Sequence, residues 1–251
     1  MTGILDGRVA LVTGAGRGNG AAIARGLAQA GARVIVTDVD RQMAHDSAEV
    51  IAKAGGDARG FALDVTDEVG CRKLAQDIAL LIGPVRILIN NAGIFLRGGF
   101  AGAAGHERWA RTMAVNVQGT FNVTMAFLEQ LKQTRGAVVN VASTNSFVAP
   151  AGSGAYPVSK GAIAQFTRGL ATELAPDGVR VNAIAPGIIA TPMTEVTRAD
   201  PARLDAFLTR VPMKRVGQPE ELIGPIVFLC SDAASYVTGA VLPVDGGYLA
   251  G

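Results

Sequence analysis

The sequence is poor in the residues that form metal centres and disulfide frameworks. It contains two cysteines, Cys71 and Cys230, and two histidines, His45 and His106. The cysteines lie far apart in the chain, and none of the four residues has a partner at the spacing of metal ligands. We therefore expect no metal site and no disulfide framework.

An excess of one charge and long apolar runs are lacking as well. The 23 basic and 21 acidic residues nearly balance, and the basic ones are scattered, so nucleic acid is not an expected partner. No apolar run approaches the roughly 18 residues of a membrane span. Residues 1–5 lack the layout of a secretion signal. We expect a cytoplasmic protein that does not bind membranes.

What the chain does have is the composition of one folded domain. Of its 251 residues, 49% are hydrophobic, which excludes a disordered chain. The 32 glycines and 11 prolines indicate many tight turns. We find no repeat, linker or change of composition, so residues 1–251 are expected to form a single domain.

Short β-branched runs alternate with helical patterns from Val9 to Val244, which is typical of a parallel sheet covered on both faces. The runs are almost continuously apolar, as in strands buried on both sides. The expected fold class is α/β, a doubly wound seven-stranded parallel sheet of the Rossmann type. The predicted strands span residues 9–12, 34–37, 60–63, 87–90, 137–141, 181–184 and 241–244. The predicted helices span residues 20–30, 41–53, 68–81, 109–132, 155–173 and 220–229.

One segment, residues 188–212, fits neither period and contains Pro192 and Pro201. We expect it to be a mobile excursion from the core. In such sheets, ligands bind beyond the carboxyl ends of the strands, where the strand order reverses. Residues that carry chemistry should therefore follow strands.

A glycine-rich stretch, TGAGRGNG at residues 13–20, follows the first predicted strand and opens the first predicted helix. Gly14, Gly18 and Gly20 permit a tight turn and a close approach of the backbone to a pyrophosphate, which the helix N-terminus attracts. The alternative is an ordinary glycine turn. Its position in the first βα unit favours the phosphate site.

The end of the second strand bears on the choice of dinucleotide. Asp38 can accept hydrogen bonds from both ribose hydroxyls and would repel a 2′-phosphate. NAD is therefore expected, and NADP is disfavoured. Arg17 in the glycine turn favours NADP if it meets a 2′-phosphate; otherwise it is a solvated surface residue.

Two further strand ends carry candidate cofactor contacts. Asp64 and Val65 follow the third strand and can bind and pack an adenine, although Asp64 is equally suited to cap the next helix. Asn91, Ala92 and Gly93 follow the fourth strand, where small residues let a cofactor pass close to the backbone. An asparagine in a turn is more often structural.

Tyr156 and Lys160 lie four residues apart, on one face of a predicted helix. A tyrosine has an ordinary pKa of about 10. A positive charge about 4 Å away offers about 4 kcal/mol at an effective dielectric of 20, enough to bring that pKa near neutrality, and burial opposes it. We expect Lys160 to lower the pKa of Tyr156, which then acts as acid and base. The alternative is an exposed helix pair.

Two polar residues elsewhere bear on the same chemistry. Ser143 ends the fifth strand, where its hydroxyl can hold a substrate carbonyl or alkoxide oxygen beside Tyr156. Asn116 interrupts an apolar stripe of the long fourth helix, and the residues alone favour a hydrogen-bonded buried amide there.

Together these motifs resemble the short, single-domain branch of the short-chain dehydrogenase/reductase family, from Gly7 to Gly247. The resemblance implies that Tyr156 is the general acid and base, with Lys160 lowering its pKa and holding the nicotinamide ribose. It further implies that Ser143 orients the substrate oxygen and that Asn116 anchors a water chain to Lys160.

The resemblance also extends the cofactor site and implies an assembly. Backbone around Pro186, Gly187 and Ile189 would bind the nicotinamide carboxamide, with Thr191 on the diphosphate side, and the residues that follow would form a substrate lid within 188–212. Family members are usually homotetramers that pair the helices containing Asn116 and Tyr156. The position of Asn19 departs from the family, which commonly has isoleucine there; its backbone amide would still meet the diphosphate.

The favoured hypothesis is reversible hydride transfer between NAD and a secondary alcohol or ketone as the small-molecule substrate. Apolar residues near the expected pocket indicate an apolar or cyclic substrate: Phe95, Leu96, Phe147, Val148 and Met193. The alternative is a 3-oxoacyl-(acyl-carrier-protein) reductase, which normally needs NADPH and a basic mouth, for which Arg97 is thin support. A sugar epimerase would need a larger C-terminal domain, and a non-catalytic NAD-binding protein would lack Tyr156 or Lys160.

Overall fold

The computed structural model describes residues 3–101 and 104–251. Their strands are β1 (Val9–Val12), β2 (Arg33–Asp38), β3 (Asp57–Ala62), β4 (Ile87–Asn90), β5 (Ala137–Val141), β6 (Arg180–Pro186) and β7 (Val241–Val244). The first seven α-helices are α1 (Gly18–Gln29), α2 (Arg41–Lys53), α3 (Glu68–Leu81), α4 (Gly105–Met113), α5 (Gly119–Ala126), α6 (Leu128–Thr134) and α7 (Ala155–Leu174). Between β6 and β7 lie α8 (Glu195–Arg198), α9 (Pro201–Leu208) and α10 (Ile223–Cys230).

The seven strands form one parallel sheet in the order β3-β2-β1-β4-β5-β6-β7. The order reverses between β1 and β4, where the chain crosses from one half of the sheet to the other. This confirms the predicted doubly wound, single-domain α/β fold. It also places the carboxyl ends of β1 and β4 on either side of a crevice, the usual ligand site of such a sheet.

Alternation along the buried strands divides the core between the two faces of the sheet. In β1, Ala10 and Val12 pack in a cluster with α1 and α10, whereas Val9 and Leu11 pack on the other face with α3 and the helices around Phe127. All four residues of β1 and of β4 are buried. These central strands are therefore fixed on both sides and hold the loops at their ends in place.

Capping side chains explain why α2 and α3 begin where the sequence predicts. Asp40 accepts hydrogen bonds from the amides of Gln42 and Met43, and Asp67 accepts one from Gly70. An aspartate satisfies amides that a helix start leaves without partners. The cap of α3 is thus Asp67, so of the two alternatives left open for Asp64 the helix cap is excluded.

Two predictions about helices need correction. The expected helix 109–132 is interrupted by a π-helical turn, Ala114–Gln118, and ends its second part at Ala126 before α6 begins. The segment 188–212 has regular structure, because Thr191 with Thr194 and Asp200 cap short helical turns. Within the described ranges, no helix is both long and apolar enough to cross a membrane.

Candidate functional site

The glycine turn between β1 and α1 packs directly on the end of β4. Gly14 has a φ of +59°, a conformation that favours glycine, and a Cβ there would lie 2.8 Å from the Ala92 Cα. A Cβ on Gly20 would overlap the Gly14 carbonyl and the Asn91 amide. The turn therefore brings bare backbone to the carboxyl ends of β1 and β4, as a phosphate site requires.

Asn91 holds this turn in place. Its Nδ2 donates to the carbonyls of Thr13 and Gly14, both at 2.9 Å, and the Thr13 hydroxyl accepts from the amides of Asn91 and Ala92 at 3.0 Å. The side chain of Asn91 is thus used within the protein. Thr13 is a positioning residue that the sequence motif contains but that sequence reasoning did not single out.

Asp38 lies beside the glycine turn at the end of β2. Its Oδ2 accepts a hydrogen bond from the Gly16 amide at 3.0 Å, and its Oδ1 accepts one from the Asp40 amide at 3.2 Å. Arg17 is exposed on the same turn and forms no ion pair among the described residues. The carboxylate is therefore fixed at the predicted adenosine end, and the guanidinium remains in solvent.

The end of β3 has a different character. The Asp64 carboxylate accepts from the amide and the hydroxyl of Thr66, at 2.8 and 2.7 Å, and closes a local turn. Val65 is buried, and its carbonyl accepts from the Asn122 side chain of α5 at 3.0 Å. The side chain of Asp64 stabilises its own loop, while Val65 anchors that loop to α5.

Polar groups in the glycine turn also fit a dinucleotide. The Oδ1 atom of Asn19 is buried and accepts no hydrogen bond from any residue that the structure describes, and Asn19 lines the large cavity at the strand ends. A buried oxygen without a donor costs about 1 to 3 kcal/mol, so it marks a place for a ligand with a donor. A Cβ on Gly18 would lie 3.6 Å from the Thr191 Cβ, which puts Thr191 against the phosphate turn.

The loop after β6 closes the other side of this cavity. Pro186 is the last residue of β6, and the Gly187 amide donates to the Val244 carbonyl at 3.0 Å. Ile189 is buried and pairs with Gly217. The backbone from Pro186 to Thr191 is therefore held rigidly along the cavity wall, where the resemblance placed the nicotinamide.

Tyr156, Lys160 and Ser143 meet in this cavity, whose volume is about 690 Å³. Tyr156 lies in the first turn of α7, where Pro157 is compatible with a helix, and Ser143 follows β5. The Lys160 ammonium lies 5.7 Å from the centre of the Tyr156 ring and donates to the Val141 carbonyl at 2.6 Å. The predicted pair therefore converges on one cavity wall, and the exposed-pair alternative is wrong.

The electrostatic balance at Tyr156 differs from the prediction. Burial raises its pKa to about 12, and a hydrogen bond with the Ser143 side chain opposes that rise. Burial also lowers the pKa of Lys160 to about 8. The expected lowering of the Tyr156 pKa by Lys160 is not seen in this state, because burial outweighs it and the ammonium donates to the Val141 carbonyl.

Asn116 lies in the π-helical turn and is only 1% exposed. Its Oδ1 accepts from the Ile94 amide at 2.8 Å, and its Nδ2 donates to the Ile94 carbonyl and the Ser159 hydroxyl, both at 3.0 Å. The side chain is satisfied, as the residues alone had indicated. It joins the loop after β4 to α7 and so positions Gly93 beside Lys160.

The cavity lining contains residues that sequence reasoning missed. Phe95 and Met193 line it as expected, but Leu96, Phe147 and Val148 do not belong to the lining. Three arginines do: Arg97, which the sequence already offered as support for a basic mouth, and Arg203 and Arg210, which it did not single out. Arg203 and Arg210 lie in the 188–212 segment, where three arginines balance three acidic residues, so the charge of the segment gave no signal.

Comparisons with known proteins agree with this geometry. A family model described as enoyl-(acyl carrier protein) reductase matches residues 14–249. The chain is 42% identical to galactitol 2-dehydrogenase (L-tagatose-forming) of Cereibacter sphaeroides, covering 97% of this chain and 96% of the relative. It is 40% identical to the 3-oxoacyl-[acyl-carrier-protein] reductase FabG of Aquifex aeolicus, covering 97% and 98%.

A solved structure extends the likeness to the whole backbone. The gluconate 5-dehydrogenase of Burkholderia cenocepacia, in complex with NADP and tartrate, superposes with a TM-score of 0.95 at 35% identity, covering 98% of this chain and 97% of that one. Its NADP supports a nicotinamide cofactor here. It weighs against the NAD expected from Asp38.

Proposed function

The chain belongs to the short-chain dehydrogenase/reductase family, and we propose that it transfers a hydride between a nicotinamide cofactor and the carbinol carbon of a small secondary alcohol or ketone. The observation that carries this proposal is the convergence of Tyr156, Ser143 and Lys160 on the cavity that the glycine turn borders. A similarly related galactitol 2-dehydrogenase oxidises a polyol, which supports an alcohol as substrate.

Tyr156 moves the proton. With a pKa of about 12 it is a neutral phenol near pH 7, which is the form that donates a proton to the oxygen of a ketone as it is reduced. Ser143 contacts the phenol and supplies a second donor for that oxygen, and stabilises charge that develops on it. When bound, the nicotinamide supplies or accepts the hydride and, in its oxidised form, adds a positive charge that favours the phenolate needed for alcohol oxidation.

Lys160 and Asn116 position the groups that take part in this step. Lys160 carries its proton at neutral pH and holds it at the Val141 carbonyl, from which the ammonium can also reach a ribose hydroxyl. Asn116 fixes the loop that contains Gly93. The water chain that the family resemblance assigns to Asn116 remains part of the proposal.

The remaining cofactor contacts follow from the turn geometry. Backbone amides of the glycine turn, that of Asn19 included, bind the diphosphate, with Thr191 opposite. The Asn19 Oδ1 is left to accept from a hydroxyl or carboxamide donor of the cofactor. Asp38 is proposed to decide between the dinucleotides: its carboxylate favours NAD, whereas the NADP of the Burkholderia neighbour favours NADP. Asp64 and Val65 border the adenine in this arrangement.

A second candidate function is reduction of a 3-oxoacyl thioester on an acyl carrier protein. The FabG relative, at 40% identity, and the arginines at the cavity favour it. It shares the acid and base assignment and differs in the substrate and in the need for NADPH.

The proposal includes an assembly and a lid. Phe121 of α5 is 45% exposed beside Phe166 of α7, with ring centres 6.2 Å apart, and such an apolar face supports the homotetramer expected for the family. The segment 188–212 would cover the substrate, because its helices line the cavity.

A cytoplasmic location stays a prediction from the sequence.

The variant Tyr156→Phe tests the acid and base assignment. It removes one hydroxyl and keeps the ring that contacts Phe95 at 4.7 Å. We expect turnover to fall by at least about 100-fold, the scale of general acid and base catalysis. NADH fluorescence titration should show unchanged cofactor binding. Full turnover by this variant would refute the assignment.

A further inference from the structure

The charged residues around the substrate end of the cavity are all cationic. Its lining includes Lys160 and the arginines at positions 97, 203 and 210, and contains no aspartate or glutamate in the part of the chain that the structure describes. Lys160 is directed to the Val141 carbonyl, and Arg203 pairs with Asp200 at 2.9 Å. Two arginines therefore remain whose charge no carboxylate of the described residues balances, Arg97 and Arg210.

Both guanidinium groups are held in place by aromatic rings. Arg97 lies over the Phe95 ring at 4.8 Å, and its Nη2 donates to the Thr197 hydroxyl of α8 at 2.7 Å. Arg210 lies over the Tyr248 ring at 4.5 Å. Stacking fixes the plane of a guanidinium and leaves its edge free to donate, which suits it to two-point recognition of a carboxylate.

Their position relates this charge to the reacting atoms. Phe95 contacts both the Tyr156 ring, at 4.7 Å, and the Arg97 guanidinium, at 4.8 Å, so one ring links the guanidinium to the proposed proton donor. Tyr248 stacks on Phe207 of α9 at 4.8 Å, which places Arg210 at the side of the cavity formed by the proposed lid. Both arginines are exposed and Tyr156 is partly buried, so the arginines lie toward the solvent side of the cavity and the phenol lies deeper.

The cavity lining also carries hydroxyl and amide groups. The cavity is lined by Thr144, Asn145, Ser153, Thr194 and Thr197. Such groups can bind hydroxyls of a substrate, while Phe95, Met193 and Phe207 give the same lining an apolar part.

We propose that the substrate is a small polyhydroxylated carboxylic acid, whose carboxylate is bound by Arg97 and Arg210 while a secondary hydroxyl reaches Tyr156. This rests on the proposed function, since the oxidised carbon is the one beside Tyr156. It replaces the apolar or cyclic substrate predicted from the sequence. The tartrate in the Burkholderia neighbour is a ligand of the same class.

Binding is the first test and does not depend on turnover. We would titrate tartrate and D-gluconate by calorimetry into the wild type loaded with NADH or with NADPH, where no hydride acceptor is present, and then into Arg97→Gln and Arg210→Gln. Each variant should bind both acids at least tenfold more weakly, and added salt should weaken binding to the wild type. The matched control is Arg203→Gln, which removes an arginine already paired with Asp200 and should change affinity less than threefold. No binding to the wild type, or equal affinity in all variants, would overturn the proposal.

Kinetics separate this proposal from the general function. We would compare D-gluconate with sorbitol, a polyol of the same length without the carboxylate, and with acetoacetyl-coenzyme A as a thioester. The wild type should have at least a tenfold higher kcat/KM for the acid than for the polyol, and Arg97→Gln should remove that difference by raising KM. Faster turnover of sorbitol or of the thioester would refute the carboxylate proposal and leave the oxidoreductase intact. Failure of Tyr156→Phe to lose activity would refute the proposed chemistry instead.

Discussion

Replacement of Lys160 by methionine tests the electrostatics of the proposed active site without substrate or cofactor. Lys160 is 4% exposed, and burial lowers the pKa of its ammonium from 10.5 to about 8. Between those two pH values the unfolded chain binds more protons at this residue than the folded chain does. The free energy of unfolding of the wild type should therefore rise with pH across this window.

The expected size follows from the pKa values. The difference between 10.5 and about 8 corresponds to about 3 kcal/mol when the whole window is crossed. The Lys160→Met variant lacks this dependence, so the wild type should gain about 3 kcal/mol relative to it from pH 8 to 10.5. Loss of the hydrogen bond to Val141 adds a constant offset and leaves this change unaffected. Contributions of Tyr156 and the cysteines are present in both proteins and cancel in the difference.

Urea unfolding followed by circular dichroism, at a fixed protein concentration, measures the effect. The matched control is Lys132→Met. A hydrogen bond with Asp177 raises the pKa of Lys132 above its ordinary value, so its titration lies above the window and its curve should run parallel to the wild type from pH 8 to about 10. A gap between wild type and Lys160→Met that stays constant would show that the ammonium is not desolvated, and would refute the reasoning.

Two further predictions concern the cofactor and the assembly. Asp38→Asn keeps an oxygen that can accept from the Gly16 amide and removes the negative charge. Fluorescence titration should then show that the ratio of NADP affinity to NAD affinity rises about tenfold, or about 1.4 kcal/mol. A wild type that already prefers NADP would refute the NAD preference. Sedimentation should find four copies of the chain, and Phe121→Glu should yield smaller species; a monomeric wild type would contradict the homotetramer.

The central part of the fold could be predicted from the sequence because local and global signals agree there. The strands β1, β4, β5 and β7 have the predicted bounds, since each is a short apolar run that ends in a turn. The bounds of α2 and α3 were also correct, because an aspartate caps each helix. In contrast, β3 begins earlier than predicted and is only partly buried, as edge strands often are.

The sequence pattern does not predict the helices of segment 188–212, because these helices are short. Four to eight residues give too few turns for a hydrophobic period to emerge. A local signal was nevertheless present: Asp200 followed by Pro201 is a typical helix start, with an acceptor at the cap and a proline in the first turn. The prolines that indicated an irregular loop in fact mark where the helices begin.

The balance at Tyr156 and the role of the arginines depend on contacts between distant segments. A spacing of four residues predicts a shared helix face, but it does not reveal that Val141 accepts the ammonium of Lys160. Likewise, Arg210 faces the cavity because it stacks on Tyr248, 38 positions away in the numbering. Such contacts arise from tertiary packing, and a local sequence pattern does not predict them.

The polar residues around the cavity differ in what their replacement can show. The side chain of Asn91 donates to the carbonyls of the glycine turn, and the side chain of Asn116 bonds to the backbone of Ile94. Their replacement would move a loop and weaken cofactor binding whether or not they touch the cofactor. Tyr156 and Arg210 have polar groups that face the cavity and hold no loop in place, so loss of function on their replacement reports on the ligand itself. Replacement of Tyr156 therefore tests the proposed chemistry, and replacement of the stacked arginines tests the proposed substrate.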